Sequence, residues 1–507
     1  MVDLILDAAI AVAACYDEKP EIRNLLRTRC EVGHRNWVYV AQQAEILGLL
    51  VVRARQDEVA DPSQAARVAL KTLQETCLWL AALAEDGDTL NDPDPGAASL
   101  GKAAARLGTD TRIVTDNPVR LERGVPFATV QSVCDDDATE LTIPFIDLRA
   151  QQDRIRPGIE RAIHRVLHHG AYINGPEIAD LEGQLSDYVG VEHCVCVSSG
   201  TDALLIALLA LEIGPGDEVI TTPFSFIAPA EVITSIGATP VFVDVDLRTG
   251  NLDASLVETM VTDRTRAILP VSLYGQCANM TRINQVSAKH NLPVVEDAAQ
   301  SFGALHHNKR SCGLSTIGCT SFFPAKPLGA YGDGGACFTA DAKLAKVMRE
   351  LLNHGQDRHY HHIRIGMNAR MDSLQAAVLL EKLPVFDTEL EGRQVVADHY
   401  SELLEELKQN TSLVLPYIEE NNRSAWAQYT IQVDNRDWVR KKLLSVGIPS
   451  AVHYPVISSQ QPAIKQEHVD CPNSVSLAQK VMSLPIHPYL DAETQRRIVN
   501  ELGKGLH

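Results

Sequence analysis

Between Cys194 and Thr339, seven short apolar runs recur at intervals long enough for a helix between most of them: Cys194–Val197, Glu218–Thr221, Pro240–Val245, Ala267–Val271, Pro293–Glu296, Cys319–Phe323 and Gly335–Thr339. Runs of this length without polar alternation read as strands buried on both faces. Their alternation with helices implies a mostly parallel sheet covered on both sides. Ahead of them, Ile155, Ile159, Ile163 and Val166 recur at helical spacing within Gln151–His169, followed by the loop Gly170–Pro176 and a helix over Glu177–Val189. From about Leu383 the texture changes to a helix over Glu389–Lys408, strands around Gln428–Val433, a helix from Trp438 and a last helix over Ala492–Leu502. This predicts a large sheet domain at 142–382 and a smaller α+β domain at 383–507.

Chemistry concentrates at three places on this frame. In Ser321–Gly335 a single lysine, Lys326, stands between the turn Phe322-Phe323-Pro324 and the glycine-rich Gly329–Gly335; the glycines let backbone approach a ligand closely. The apolar run Val294-Val295 ends at Glu296-Asp297, with Gln300 just beyond. A strand-end aspartate and a lone lysine are what pyridoxal phosphate (PLP) requires, the lysine as covalent anchor and the aspartate on the pyridine nitrogen. Third, Val197-Ser198-Ser199-Gly200-Thr201 passes from a strand through a small polar turn into an apolar helix, and a helix start of this kind suits a phosphate. Ser321 adds a hydroxyl there, and Phe226, in Thr222–Ala228, is a candidate to stack on the ring.

The N-terminal stretch is separate. Residues 1–130 read as a small α/β unit with strands at Leu4–Leu6 and Arg112–Thr115, a helix-like stretch around Trp37–Leu50, an amphipathic helix over 66–84 and a helix over Ala97–Leu107. Asp7, Glu45, Asp94 (or Asp92) and Asp116 are acids that such a fold can bring to one sheet edge, where hard Mg²⁺ or Mn²⁺ would be held. The pattern resembles a PIN-type nuclease domain, which departs here at Ala8-Ala9, where that family carries a small polar pair. Residues 131–141 read as a polar, acidic linker.

The chain has 507 residues, 45% of them hydrophobic, and a formal net charge of −19. That balance excludes a general nucleic-acid or anionic-membrane surface, so nucleic acid is a partner only if the PIN-like unit is active. Eleven cysteines without paired spacing predict a reduced, cytoplasmic protein. Met1–Cys15 carries Asp3 and Asp7 and no basic start, unlike a signal peptide, and no uncharged run reaches membrane-spanning length.

The segments Ser198–Leu204, Glu296–Ser301, Ser321–Ala336 and Asn353–Gln375 resemble those of the DegT-type, PLP-dependent nucleotide-sugar aminotransferases, from about Ile143 to the C-terminus. The resemblance implies the aspartate aminotransferase fold. It implies Lys326 as covalent anchor, Asp297 on the ring nitrogen and Gln300 near the ring hydroxyl. Gly200, Thr201 and Ser321 would hold the phosphate, with Asn368 reaching it from the partner subunit of a homodimer. Gly170, Tyr172, Arg370, His453 and Tyr454 would bind the nucleotide sugar. Ser272–Cys277, Arg310–Thr316 and His354–Arg358 with Tyr360–His362 read like the subgroup acting on UDP-2-acetamido-2-deoxy-3-oxo-glucuronate, with glutamate as donor, in cell-surface polysaccharide synthesis. Another nucleotide keto sugar, dTDP- or UDP-4-keto, is the alternative. Relatives that dehydrate sugars carry His at the lysine position, and Lys326 argues against that chemistry. Ala325 stands where this group usually has Ser or Thr.

Overall fold

The computed structural model describes residues 143–464, 466 and 469–506, together with the short strands Asp3–Ile5, Asn36–Ala41, Leu49–Ala54, Thr111–Val114 and Phe127–Ala128. The chain divides into two compact units, 1–141 and 142–507. In the first, Asp3–Ile5 pairs in parallel with Thr111–Val114, at the two strands expected there. The expected helix around Trp37–Leu50 is corrected: Asn36–Ala41 and Leu49–Ala54 form an antiparallel pair, Trp37 opposite Arg53. The run Trp37-Val38-Tyr39-Val40 is β-branched and aromatic, which suits a pleated surface better than a helix. Asp7, Glu45, Asp92, Asp94 and Asp116, the helices expected over 66–84 and Ala97–Leu107, and the 131–141 linker lie outside the described residues.

In the second unit, α1 (Leu148–His169) starts where Asp147 accepts a bond from Ala150 N at 2.8 Å and stops at Gly170, φ 72°. Helix α2 (Pro176–Val189) begins on a proline and ends at Gly190. The seven expected strands all form: β1 (His193–Val197), β2 (Glu218–Thr221), β3 (Thr239–Phe242), β4 (Thr265–Ile268), β5 (Val295–Asp297), β6 (Ile317–Ser321) and β7 (Gly335–Thr339). β3, β2 and β4 are parallel neighbours, as are β5 and β6. Parallel bridges Ile268–Val294 and Val271–Asp297 join the two groups. β7 runs antiparallel between β6 and β1, so the sheet is parallel except at one strand.

Helix α3 (Gly200–Ala210) covers one face, with Val195, Ile206, Ala207, Val219, Ala267 and Val295 fully buried in one core. The valine and isoleucine side chains each contribute about 1.5–3 kcal/mol, the alanines less. The other face carries a core of aromatics: Phe302 stacks on Phe386 at 5.7 Å and meets Phe322 edge-on at 5.9 Å. Helices α4 (Ala228–Ser235), α5 (Met280–His290) and α6 (Ala342–Leu351) complete the connections. A short antiparallel pair, β8 (Gln356–Arg358) and β9 (His361–His362), follows.

Helix α7 (Ser373–Asn410) has 38 residues. The boundary expected at 382/383 falls inside it. Its second half packs in a third core with β10 (Tyr429–Gln432), helix α8 (Arg436–Ser445), strand β11 (Val481–Leu484) and helix α10 (Ala492–Leu506), where Tyr400, Tyr429, Met482 and Leu502 are fully buried. Helix α9 (Pro472–Lys480) precedes β11. Two segments that carried the subgroup resemblance serve the fold. Gln276 holds the 417–422 segment through Tyr417 O, Glu419 N and Asn422, and Arg310 lies 3.8 Å above the Tyr188 ring and pairs with Asp387.

Candidate active site

The ends of β1, β5, β6 and β7 define the site. β1 leads into Ser198-Ser199, where Ser199 Oγ accepts from Asp202 N at 3.0 Å and starts α3. That start is pressed onto the neighbouring strand ends. A Cβ on Gly200 would lie 2.6 Å from Ser321 Cβ, and one on Gly335 would lie 2.5 Å from the Ser199 carbonyl. Two glycines therefore let the helix start and Ser321 meet in one small cradle, as their sequence suggests. Thr201 is half-buried beside it.

Asp297 ends β5. Its carboxylate is buried and accepts from Ala299 N at 3.0 Å. Burial pushes its carboxyl above the ordinary value, while the Ala299 N–H and the charge of Lys326 pull it back. Lys326 sits on a turn closed by Lys326 N donating to Phe323 O at 2.9 Å and Ala330 N to Phe322 O at 2.7 Å. Burial lowers its ammonium below the ordinary lysine value, with Asp297 opposing. The two residues, 29 positions apart in sequence, are thus near enough for the charge of each to shift the ionisation of the other.

His453 and Tyr454 come to the same place from the C-terminal region. Burial, then the nearby Lys326 charge, lowers His453 to about 4, so the ring is neutral at ordinary pH. Its Nδ1 meets Ser483 Oγ at 3.0 Å. Burial and the Asp297 charge raise the Tyr454 phenol. Gln300 is held on both sides: Tyr274 N donates to its Oε1 at 2.9 Å, and its Nε2 donates to the Tyr454 hydroxyl at 3.0 Å. Tyr274 itself donates to the His453 carbonyl. Sequence reasoning assigned Tyr274 no role, although it lies inside a quoted segment. Phe226 is 54% exposed, 6.0 Å from the Tyr454 ring. The two line a cleft of about 440 Å³ with Pro455, Val456, Gln461 and Pro462.

The remaining predicted residues gather at the start of α7. Val197 bridges Arg370, and Ser198 N donates to Ala369 O at 2.9 Å. Segment 368–370 therefore lies beside the α3 start of its own chain, with Asn368 exposed. Arg370 Nη1 donates to Asn353 at 2.7 Å, and its buried Nε has no hydrogen-bond partner. The loop carrying Gly170 and Tyr172 is tied to the same point through Ser373 N to Tyr172 O, 2.9 Å, and Gly175 N to Ser373 Oγ, 3.0 Å. Tyr172 is 47% exposed.

Among the described residues no cluster of three or more His, Cys, Asp and Glu could hold a metal ion, and no helix is long and apolar enough to cross a membrane.

Residues 153–503 match the DegT/DnrJ/EryC1/StrS aminotransferase family. The chain is 54% identical over 349 residues to the UDP-2-acetamido-2-deoxy-3-oxo-D-glucuronate aminotransferase of Pseudomonas aeruginosa, covering 69% of this chain and 96% of that protein. It is 43% identical over 366 residues to the UDP-N-acetyl-3-dehydro-alpha-D-glucosamine 3-aminotransferase of Acidithiobacillus ferrooxidans, covering 72% and 98%. The crystal structure of ntda from Bacillus subtilis with bound cofactor PMP matches with a TM-score of 0.67 at 28% identity, covering 76% of this chain and 94% of that one.

Proposed function

The chain belongs to the DegT/DnrJ/EryC1/StrS aminotransferase family, and on that premise we propose that it transaminates UDP-2-acetamido-2-deoxy-3-oxo-glucuronate with glutamate as donor and PLP as cofactor. The observation that carries the reading is Lys326 within the electrostatic reach of the buried Asp297, on the same sheet end as the cradle made by Gly200 and Ser321. The residues fit the cofactor. A helix start with its own serine cap, two glycines where a Cβ would collide, and a buried carboxylate near a lysine are what a phosphate, a flat ring and a ring nitrogen need.

In this reading Gly200, Thr201 and Ser321 receive the phosphate, Asp297 pairs with the ring nitrogen, Phe226 stacks on the ring and Lys326 holds the cofactor covalently. Gln300 lies near the ring hydroxyl, already fixed by Tyr274 and Tyr454. Once bound, the cofactor supplies an electron sink for the carbanion of amino-group transfer. The chain handles the proton. The donor's amino group would displace the Lys326 amine, and because burial lowers its ammonium the freed amine offers a larger neutral fraction at ordinary pH, so that it would move the proton between the substrate carbon and the cofactor in each half-reaction.

Gly170, Tyr172, Arg370, His453 and Tyr454 are the proposed nucleotide-sugar residues. The partnerless Nε of Arg370 favours an acidic sugar, since a guanidinium pairs with a carboxylate through two parallel bonds. The name of the Pseudomonas aeruginosa relative supports the same sugar. A UDP-linked sugar is an activated glycosyl donor, so we extend the reading to cell-surface polysaccharide synthesis of the O-antigen type, in the cytoplasm. The active unit is a homodimer, with Asn368 completing the phosphate site of the second copy. Around β8 and β9, Tyr360 is 82% exposed and Ile365 94%, an apolar surface that suits a second copy. The reading uses no metal or nuclease chemistry of residues 1–130.

The test is the absorbance of the PLP-loaded protein. Glutamate should abolish the band of the lysine-linked cofactor, and the 3-keto-glucuronate nucleotide should restore it. Restoration only by the non-acidic 3-keto sugar would retain the aminotransferase and reject the substrate, with Ala325, which lacks the hydroxyl usual before the lysine, as the first position to restore to Ser. No band at all would reject the role of Lys326.

A further inference from the structure

Lys382 lies on α7, outside every segment assigned to the cofactor or the sugar, and is only 1% exposed. Among the described residues it makes no ion pair. Its Nζ donates to the Gly329 carbonyl at 2.7 Å and stands 4.4 Å above the Tyr331 ring. Burial lowers its ammonium to about 8, with Glu389, two turns along the helix, opposing. A buried ammonium with one carbonyl and one aromatic face is a costly arrangement for packing alone, where an apolar side chain of the same length would fill the space.

Both partners of Lys382 belong to the loop that carries Lys326. In that loop, Gly329 closes against Pro324: a Cβ there would lie 2.4 Å from the Pro324 carbonyl. The residues on either side of Lys326 thus meet, and the carbonyl at their junction is the one Lys382 holds. α7 grips the loop a second time, where Gln375 Oε1 accepts from Tyr331 N at 2.9 Å. Gln375 and Lys382 are seven residues apart, so they share one face of the helix. On the opposite flank, Phe322 N donates to Gly334 O at 2.8 Å.

Resting on the reading of Lys326 as cofactor anchor, we propose that Lys382 is a positioning residue for it. Through the Gly329 carbonyl and the Tyr331 ring it fixes the turn that presents the Lys326 amine opposite Asp297. The ammonium donates to the carbonyl oxygen and is attracted by the ring face, so it holds the loop at two points.

The experiment compares the PLP-loaded wild type with Lys382→Met and Lys382→Arg. The readouts are the PLP dissociation constant, the spectroscopic pH profile of the lysine-linked cofactor and the glutamate half-reaction. Lys382→Met should weaken PLP binding about tenfold and slow the half-reaction by about 10–100-fold, the scale of a small misplacement of a reacting group, with the glutamate KM little changed. Its pH profile should shift. Lys382→Arg keeps a donor and a cation and should recover most of the loss at a similar melting temperature. Wild-type affinity, profile and rate in Lys382→Met would overturn the proposal. So would equal losses in the Met and Arg variants that track their melting temperatures. Should Lys382→Met fail to fold, Lys382→Gln, shorter by one bond and uncharged, takes its place with the same two outcomes. If the wild type itself forms no covalent link with PLP, the reading of Lys326 fails before any variant is compared.

Discussion

At the scale of single residues, the cradle makes the sharpest demand. In Gly200→Ala the new methyl would collide with Ser321, so we expect PLP affinity to fall and stability to drop by about 1–3 kcal/mol, read by PLP titration and melting. Gly183→Ala is the control. It lies within α2 with open space around its Cβ, and helix propensity should make it neutral or stabilising by up to about 1 kcal/mol. Glu296, next to Asp297, is fully buried and accepts from Ser311 Oγ at 2.8 Å and Cys312 N at 3.0 Å. Burial raises its carboxyl from 4.5 to about 7, its Ser311, Cys312 and Ser272 bonds and the Asp297 charge modifying the effect. An acid raised in the folded state disfavours folding once it must ionise. The penalty is absent below about 4.5, grows as pH rises to about 7 and is constant above, reaching about 3 kcal/mol. Glu296→Gln loses one accepted bond and is less stable overall, but its stability should fall less steeply from pH 4.5 to 7 than that of the wild type in denaturant melts. Lys326, Asp297 and the Ser-Gly-Thr turn were legible because each stands in a short, unusual local string. The buried states of Glu296 and Lys382 were not, because burial is made by segments tens of residues away.

Among the elements, α7 does most to connect the parts. Along its inward face stand Lys382, Glu389 and Arg393, all buried. Glu389 accepts from Gln151 at 2.6 Å and from Tyr489, and Arg393 donates to Trp426 O at 3.1 Å and Ile486 O at 3.3 Å. One helix thus reaches the Lys326 loop, α1 and the C-terminal region through alternating charges. Phe386, fully buried between them, stacks on Phe302. Phe386→Ala should cost about 3–5 kcal/mol in chemical denaturation, since the aromatic core cannot collapse around so large a void. The seven strands were legible from uninterrupted apolar runs, and their ends fall within a few residues of expectation. The reversed direction of β7 was not, because strand direction is set by the connections and leaves no mark in the run itself. The Trp37–Leu50 stretch, expected to be helix-like, departs from that at Asn36–Ala41, because Trp37-Val38-Tyr39-Val40 is β-branched and aromatic and suits a strand.

At the scale of the whole molecule, the two relatives are covered over 96% and 98% of their own length by 349 and 366 residues of this chain, and the family match spans 153–503, inside the second unit. A chain starting at residue 142 should therefore keep both half-reactions, with kcat within about twofold of the full chain, a change well under 1 kcal/mol in barrier. A large loss in steady-state assay would assign residues 1–141 a part in the chemistry. The sheet also has an order in time. Its first strand, β1, is completed only when β7 arrives, since Val197 pairs with Gly335 about 140 residues later. On a ribosome adding roughly 5–20 residues per second, β1 waits some 7–30 s with its edge unfilled and Cys194, Val195 and Cys196 uncovered on that side. Synthesis of this chain therefore passes through a sticky interval that no feature of the finished protein betrays, and holding chaperones should be found on nascent chains that end before Gly335.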